Sequence, residues 1–247
     1  MSIDTISKPL LRSTLMALCV VFMASVFGYS LLRSPLLIGN GTIISAASLL
    51  LFIFVWVIYA LPSHNHRRFG PANVVTAIRA AIVCLVGTTV LFSGERLLLE
   101  PALPALIALA ISALALDWVD GYLARRSRLA SPLGARFDME IDALFILVLS
   151  VTALLLEKAG LWVLLIGLMR YGFVLAQYPF SWLRVPLQDS FRRKLICVVQ
   201  VGALCIIMLP FITPPVSTVI AAVALLLLSY SFAADVLYLL RHADEAK

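Results

Sequence analysis

Apolar residues run along this chain in eight blocks, parted by short polar stretches that hold most of the charge. The blocks cover about residues 13–32, 43–61, 73–92, 102–124, 135–156, 159–180, 195–212 and 215–240. Each approaches the roughly 20 residues that an α-helix needs to cross a hydrocarbon layer about 30 Å thick. Helices satisfy their own backbone hydrogen bonds, which lipid cannot do for them. The pattern therefore predicts an all-α polytopic membrane protein with eight transmembrane helices.

Composition agrees. Of 247 residues, 62% are hydrophobic, more apolar surface than a globular interior could hide. The net charge of +6 does not point to nucleic acid, because the basic residues lie in the short loops between blocks. That placement is the mark of membrane topology and of anionic lipid. Cys19, Cys84, Cys197 and Cys205 fall inside apolar blocks with no CxxC pair, and read as small hydrophobes in helix packing. The first block follows Lys8 and Arg12, as the apolar part of a signal peptide follows its basic end. It is long for that role, has no clear small-residue cleavage site, and leads directly into the second block. The two form an uncleaved hairpin, with Asn40-Gly41-Thr42 as a polar turn between them. His64 and His66, in the connector that follows, lack further metal ligands nearby and read as solvated.

The polar residues that interrupt the apolar pattern are more informative. Asp117 and Asp120 are three apart at the end of the fourth block, and Asp138 and Asp142 four apart at the start of the fifth. Each pair lies on one face of a helix. A charged residue at membrane depth costs roughly 2.5–3.5 kcal/mol, so four carboxylates need a compensating partner. Two antiparallel helices joined by 126–133 turn all four toward one another. Oxygen donors at that density suit a hard divalent cation, Mg²⁺ or Mn²⁺, not zinc. Asn73, Thr76 and Arg79 share one side of the third block's first turns. Asn73 reads as an N-cap, and Arg79 requires an anion or a carboxylate. Gly121 and Ala124 carry no bulk and admit a ligand or a neighbouring helix. Asp235, near the end of the last block, is either interfacial or paired with a basic residue.

The stretch 117–142 resembles the signature of the CDP-alcohol phosphotransferase (phosphatidyltransferase) family. Asp117, Asp120, Gly121, Ala124, Arg125, Gly134, Asp138 and Asp142 meet its eight fixed positions without departure in type or spacing. Pro71, Asn73, Thr76 and Arg79 resemble the opening of the family's first core helix, with Ala72 as an extra residue. The resemblance covers 73–240 and implies a six-helix catalytic domain, taken here as 71–247, preceded by a tail, hairpin and connector at 1–70. It implies transfer of a phosphatidyl group from CDP-diacylglycerol to the hydroxyl of a small polar alcohol, with release of CMP. It also implies two divalent ions held by the four aspartates, and assigns Asp142 as general base. By the same resemblance Asn73, Thr76, Arg79, Asp120, Gly121, Ala124, Arg125 and Gly134 bind the donor, and the protein is a homodimer.

The acceptor stays open between a phosphorylated alcohol, such as glycerol 3-phosphate or inositol phosphate, and an uncharged or amino alcohol. Arg136, Arg170, Arg184, Arg192, Arg193 and Lys194 are the candidates for an acceptor phosphate, although topology alone accounts for most of them. Ile196 and Cys197 depart from the Lys and Thr of glycerophosphate-type members. With the N-terminus inside, fourteen of the 19 basic residues fall on the cytoplasmic side. Both termini and the aspartates then face the cytoplasm, of a bacterial inner membrane on this reading. A transporter is the rival reading, but its charges would spread through midplane positions in two related halves. Here the acids gather at one membrane face.

Overall fold

The structure, a computed structural model, describes residues 7–66, 68–93, 102–127, 131–184 and 190–245. Among these residues it is all helical: α1 (Lys8–Leu31), α2 (Asn40–Tyr59), α3 (Pro71–Ser93), α4 (Ala102–Ser127), α5 (Pro132–Leu155), α6 (Leu164–Ala176), α7 (Phe191–Ile207) and α8 (Val216–Glu245). The helices follow the eight apolar blocks in order, as a polytopic membrane protein requires. Five of them, α1 to α4 and α8, are long and apolar enough to cross a membrane. The sixth block is shorter as a helix than its apolar run predicts. It opens with a 3₁₀ turn at Leu161–Val163, and α6 then has 13 residues, a rise of about 20 Å against a layer of about 30 Å.

The chain forms two compact units, Met1–Leu144 and Phe145–Lys247. In the first, α1 and α2 pack on each other and on α3, and α3 packs most extensively on α4. Ala77, Ala80 and Ala81 are buried along α3, and such small residues let neighbouring backbones come close without a large hydrophobic gain. Met16, Val20, Met23 and Phe27 form an outward stripe on α1 and stay exposed. So continuous an apolar face suits lipid or another protein surface and not water. Gly70 has φ of 71°, a left-handed turn natural to glycine. Pro71 follows as the first helical residue, where its missing N–H costs nothing. Asn73 is therefore not the N-cap of α3. It lies within the first turn, and its side-chain amide donates back to the Phe69 carbonyl at 2.6 Å. His64 is not solvated either: it is buried, with Nε2 donating to the Arg68 carbonyl at 2.8 Å.

In the second unit α7 packs on α8, and α6 meets α8 where the rings of Phe173 and Phe232 lie 5.6 Å apart. Gly167 is buried, and a Cβ there would sit 2.6 Å from the Leu147 Cα, so the close approach of α6 to α5 requires glycine. Glu157, with φ of 54°, ends α5 as a left-handed cap, and the Lys158 N–H bonds the Ala153 carbonyl. The Lys158 ammonium then donates to the carbonyls of Leu209 (3.1 Å) and Ile212 (2.7 Å), beyond the last turn of α7. The Ser217 hydroxyl, in the first turn of α8, donates to the Lys158 carbonyl.

Candidate active site

The first unit brings the four aspartates together around one side chain. Arg79 rises from α3 and is fully buried. Its Nη1 donates to Asp117 (2.6 Å) and Asp120 (3.0 Å), the pair from α4. Its Nη2 donates to Asp138 (2.6 Å) and Asp142 (2.8 Å), the pair from α5. One terminal nitrogen thus serves each helix. The i, i+3 and i, i+4 spacings are what place each pair on a single helix face, within reach of a single nitrogen. The Thr76 hydroxyl, one turn before Arg79, donates to Asp120 at 3.2 Å and also to the Ala72 carbonyl.

The cluster is closed on one side and open on another. Asp120 is 4% exposed, whereas Asp117, Asp142 and Asp138 are 31%, 25% and 37% exposed. Three carboxylates therefore remain reachable by a ligand while the fourth anchors the base of the site. One oxygen from each of Asp117, Asp120 and Asp138 lies within 4.8 Å of the others. An all-oxygen donor set of that size fits a hard divalent cation and lacks the nitrogen or sulfur donors typical of zinc. A cationic guanidinium lying among these carboxylates shows independently that their geometry accommodates positive charge.

Asn73 and Gly134, both expected to line the donor pocket, are neighbours. A Cβ at Gly134 would overlap Asn73 Oδ1 and lie 3.3 Å from the Ser131 hydroxyl. Ser131 is a site residue that the sequence pattern alone did not single out. Its hydroxyl accepts the Gly134 N–H at 3.0 Å and caps α5, a role signalled by serine just before Pro132. Gly121 and Ala124 are half-buried on α4 beside the aspartates in sequence, and the Arg125 side chain lies outside the described residues.

The acceptor candidates belong to both units. The Arg136 guanidinium, at the start of α5, stacks over the Trp56 ring of α2 at 5.8 Å, a cation–π contact. In the second unit Arg170 is half-buried on α6. Arg192 pairs with Asp235 at 2.5 Å and Arg193 approaches the same carboxylate at 3.5 Å. Asp235 is thus a paired residue. The side chains of Arg184 and Lys194 lie outside the described residues.

No curated protein and no solved structure matched the chain. A family profile described as CDP-alcohol phosphatidyltransferase matches residues 69–230, which include α3, the carboxylates of α4 and α5, and the first half of α8. With more than half of its length matched, and with the aspartates of the motif gathered at one buried arginine, the chain belongs to the CDP-alcohol phosphatidyltransferase family, transferases of phospholipid synthesis that act on CDP-alcohols.

Proposed function

We propose that the protein transfers a phosphatidyl group from CDP-diacylglycerol to the hydroxyl of a small polar alcohol and releases CMP. The observation that supports this reading is the convergence of Asp117, Asp120, Asp138 and Asp142 from two helices, with three of them still open to a ligand. Two divalent cations, Mg²⁺ or Mn²⁺, held by these four carboxylates would neutralise charge on the diphosphate and on the departing CMP.

The chain's own groups do the rest. Asp142 takes the proton of the acceptor hydroxyl. The freed oxygen bonds to the phosphorus that carries the diacylglycerol, and the bond from that phosphorus to the bridging oxygen breaks, so CMP leaves with the bridging oxygen. Asn73, Thr76, Asp120, Gly121, Ala124, Arg125 and Gly134 line the donor pocket, with Gly121 and Ala124 letting the nucleotide approach the backbone. Apolar helix faces let a lipid donor arrive from the bilayer while a polar acceptor comes from water. Arg136, Arg170, Arg184, Arg193 and Lys194 are the residues proposed to meet an acceptor phosphate. We place the site and both termini on the cytoplasmic side of a bacterial inner membrane, and the protein as a homodimer.

The test is CMP release from labelled CDP-diacylglycerol with a panel of alcohols. Asp138→Asn and Asp142→Asn should each abolish release while the protein still inserts, and EDTA should silence the unaltered protein. Full activity in both variants would overturn the assigned roles.

A further inference from the structure

Resemblance alone assigns Arg79 to the nucleotide donor. Its contacts in the structure are of another kind, and we propose that Arg79 is a positioning residue, an internal counter-cation that holds the two carboxylate pairs in register before any metal arrives and lowers the site's affinity for divalent ions. This inference rests on the reading of the aspartates as metal ligands.

Three observations carry it. First, both terminal nitrogens of Arg79 are committed to carboxylates, at 2.6–3.0 Å, and the side chain is 0% exposed, so neither nitrogen faces a free space that a phosphate would fill. Second, the division of labour is by helix, Nη1 for α4 and Nη2 for α5. A planar fork can hold two pairs apart at a set spacing, whereas an ammonium is a single point of charge. Third, Nη2 also approaches the Asp138 main-chain carbonyl at 3.4 Å, which ties the guanidinium to the α5 backbone as well as to its side chains.

Charge balance explains why such a residue would be kept. Four ionised carboxylates crowded together repel one another strongly where water is scarce. One guanidinium reduces four negative charges to three, enough to keep the helices assembled and too little to remove the attraction for divalent ions. With two divalent ions added, the same guanidinium leaves the site one charge positive, which favours a diphosphate over an empty state. Without it the loaded site would be neutral, and the ions would be bound more tightly.

The experiment is a Mn²⁺ titration followed by electron paramagnetic resonance, on the full chain in nanodiscs, with no donor or acceptor present. Arg79→Gln should bind Mn²⁺ at least about tenfold more tightly than the unaltered protein, because a unit charge at hydrogen-bond range has been removed. Its thermal midpoint should fall without metal and recover when Mn²⁺ is added. Arg79→Lys keeps the charge without the fork, so its Mn²⁺ affinity should stay within about threefold of the unaltered protein, while its metal-free midpoint falls and Mn²⁺ restores it. Equal or weaker Mn²⁺ binding by Arg79→Gln would overturn the proposal. If Arg79→Gln does not fold, failure of Mn²⁺ to restore Arg79→Lys would overturn it equally. An unaltered protein that binds no Mn²⁺ would instead remove the metal reading on which the inference stands.

Discussion

The Tyr29 hydroxyl of α1 donates to the main-chain carbonyl of Ala81 in α3 at 2.7 Å. Both residues are buried, and Ala81 lies two positions after Arg79. The hairpin falls outside residues 69–230, the segment matched by the family profile, yet it is bonded to the helix that carries the centre of the carboxylate cluster. It thus forms part of the same packed unit as the helices that carry the carboxylate cluster.

Tyr29→Phe removes that bond and leaves the ring in place. A buried hydrogen bond contributes about 1 kcal/mol net, and here the carbonyl keeps its helical partner. The thermal midpoint of the purified protein in nanodiscs should fall by roughly 2–4 °C, with no change in Mn²⁺ affinity. An unchanged midpoint would show that the hairpin is held by its apolar contacts alone.

Gly134→Ala should act where Tyr29→Phe does not. The added Cβ would overlap Asn73 Oδ1 and press on the Ser131 hydroxyl that caps α5. Asn73 is itself fixed by its bond to the Phe69 carbonyl, so it cannot give way without unsettling the start of α3. Overpacking of this kind costs about 1–3 kcal/mol, and kcat/KM for the CDP-alcohol should drop by about tenfold or more. Gly172→Ala on α6, where a Cβ meets nothing within 4 Å, is the control and should leave the kinetics unaltered. A Gly134→Ala enzyme with normal kcat/KM would mean that the α3–α5 approach is unimportant for the donor.

His64 makes stability depend on pH in a definite direction. Burial pushes its pKa below the usual 6.5; the bond to the Arg68 carbonyl works against this, and the neighbouring His66 adds to the lowering. The unfolded chain therefore takes up a proton first as pH falls. The contribution is constant above the ordinary histidine pKa and is lost as pH drops from there toward the folded value. Between about pH 7 and pH 5 the thermal midpoint should decline less for His64→Gln than for the unaltered protein. Equal declines would show that the burial of His64 is not what sets the acid side of the profile.

The order of the helices and the pairing of the carboxylates along each helix were legible without a fold. Apolar runs of helix length are a local property, so all eight helices follow from sequence. The spacing of Asp117 with Asp120, and of Asp138 with Asp142, is also local, because a helix places such residues on one face regardless of its neighbours. The sixth block exceeded its helix because hydropathy does not mark where a 3₁₀ turn replaces the first α-helical residues. Asn73 was misplaced as a cap because Gly70 and Pro71 had already started the helix two residues earlier.

What no local rule supplied was the identity of partners across helices. An arginine two turns inside an apolar helix requires an anion, but sequence cannot choose between a ligand's phosphate and the chain's own carboxylates. Tertiary structure chose the latter, bringing Arg79 against Asp117 and Asp142 across separations of 38 and 63 positions. It likewise set Arg192 and Arg193 on Asp235, and Tyr29 on Ala81. Such contacts depend on which face each helix turns inward and how closely small residues let backbones approach, and these are settled only when the helices pack.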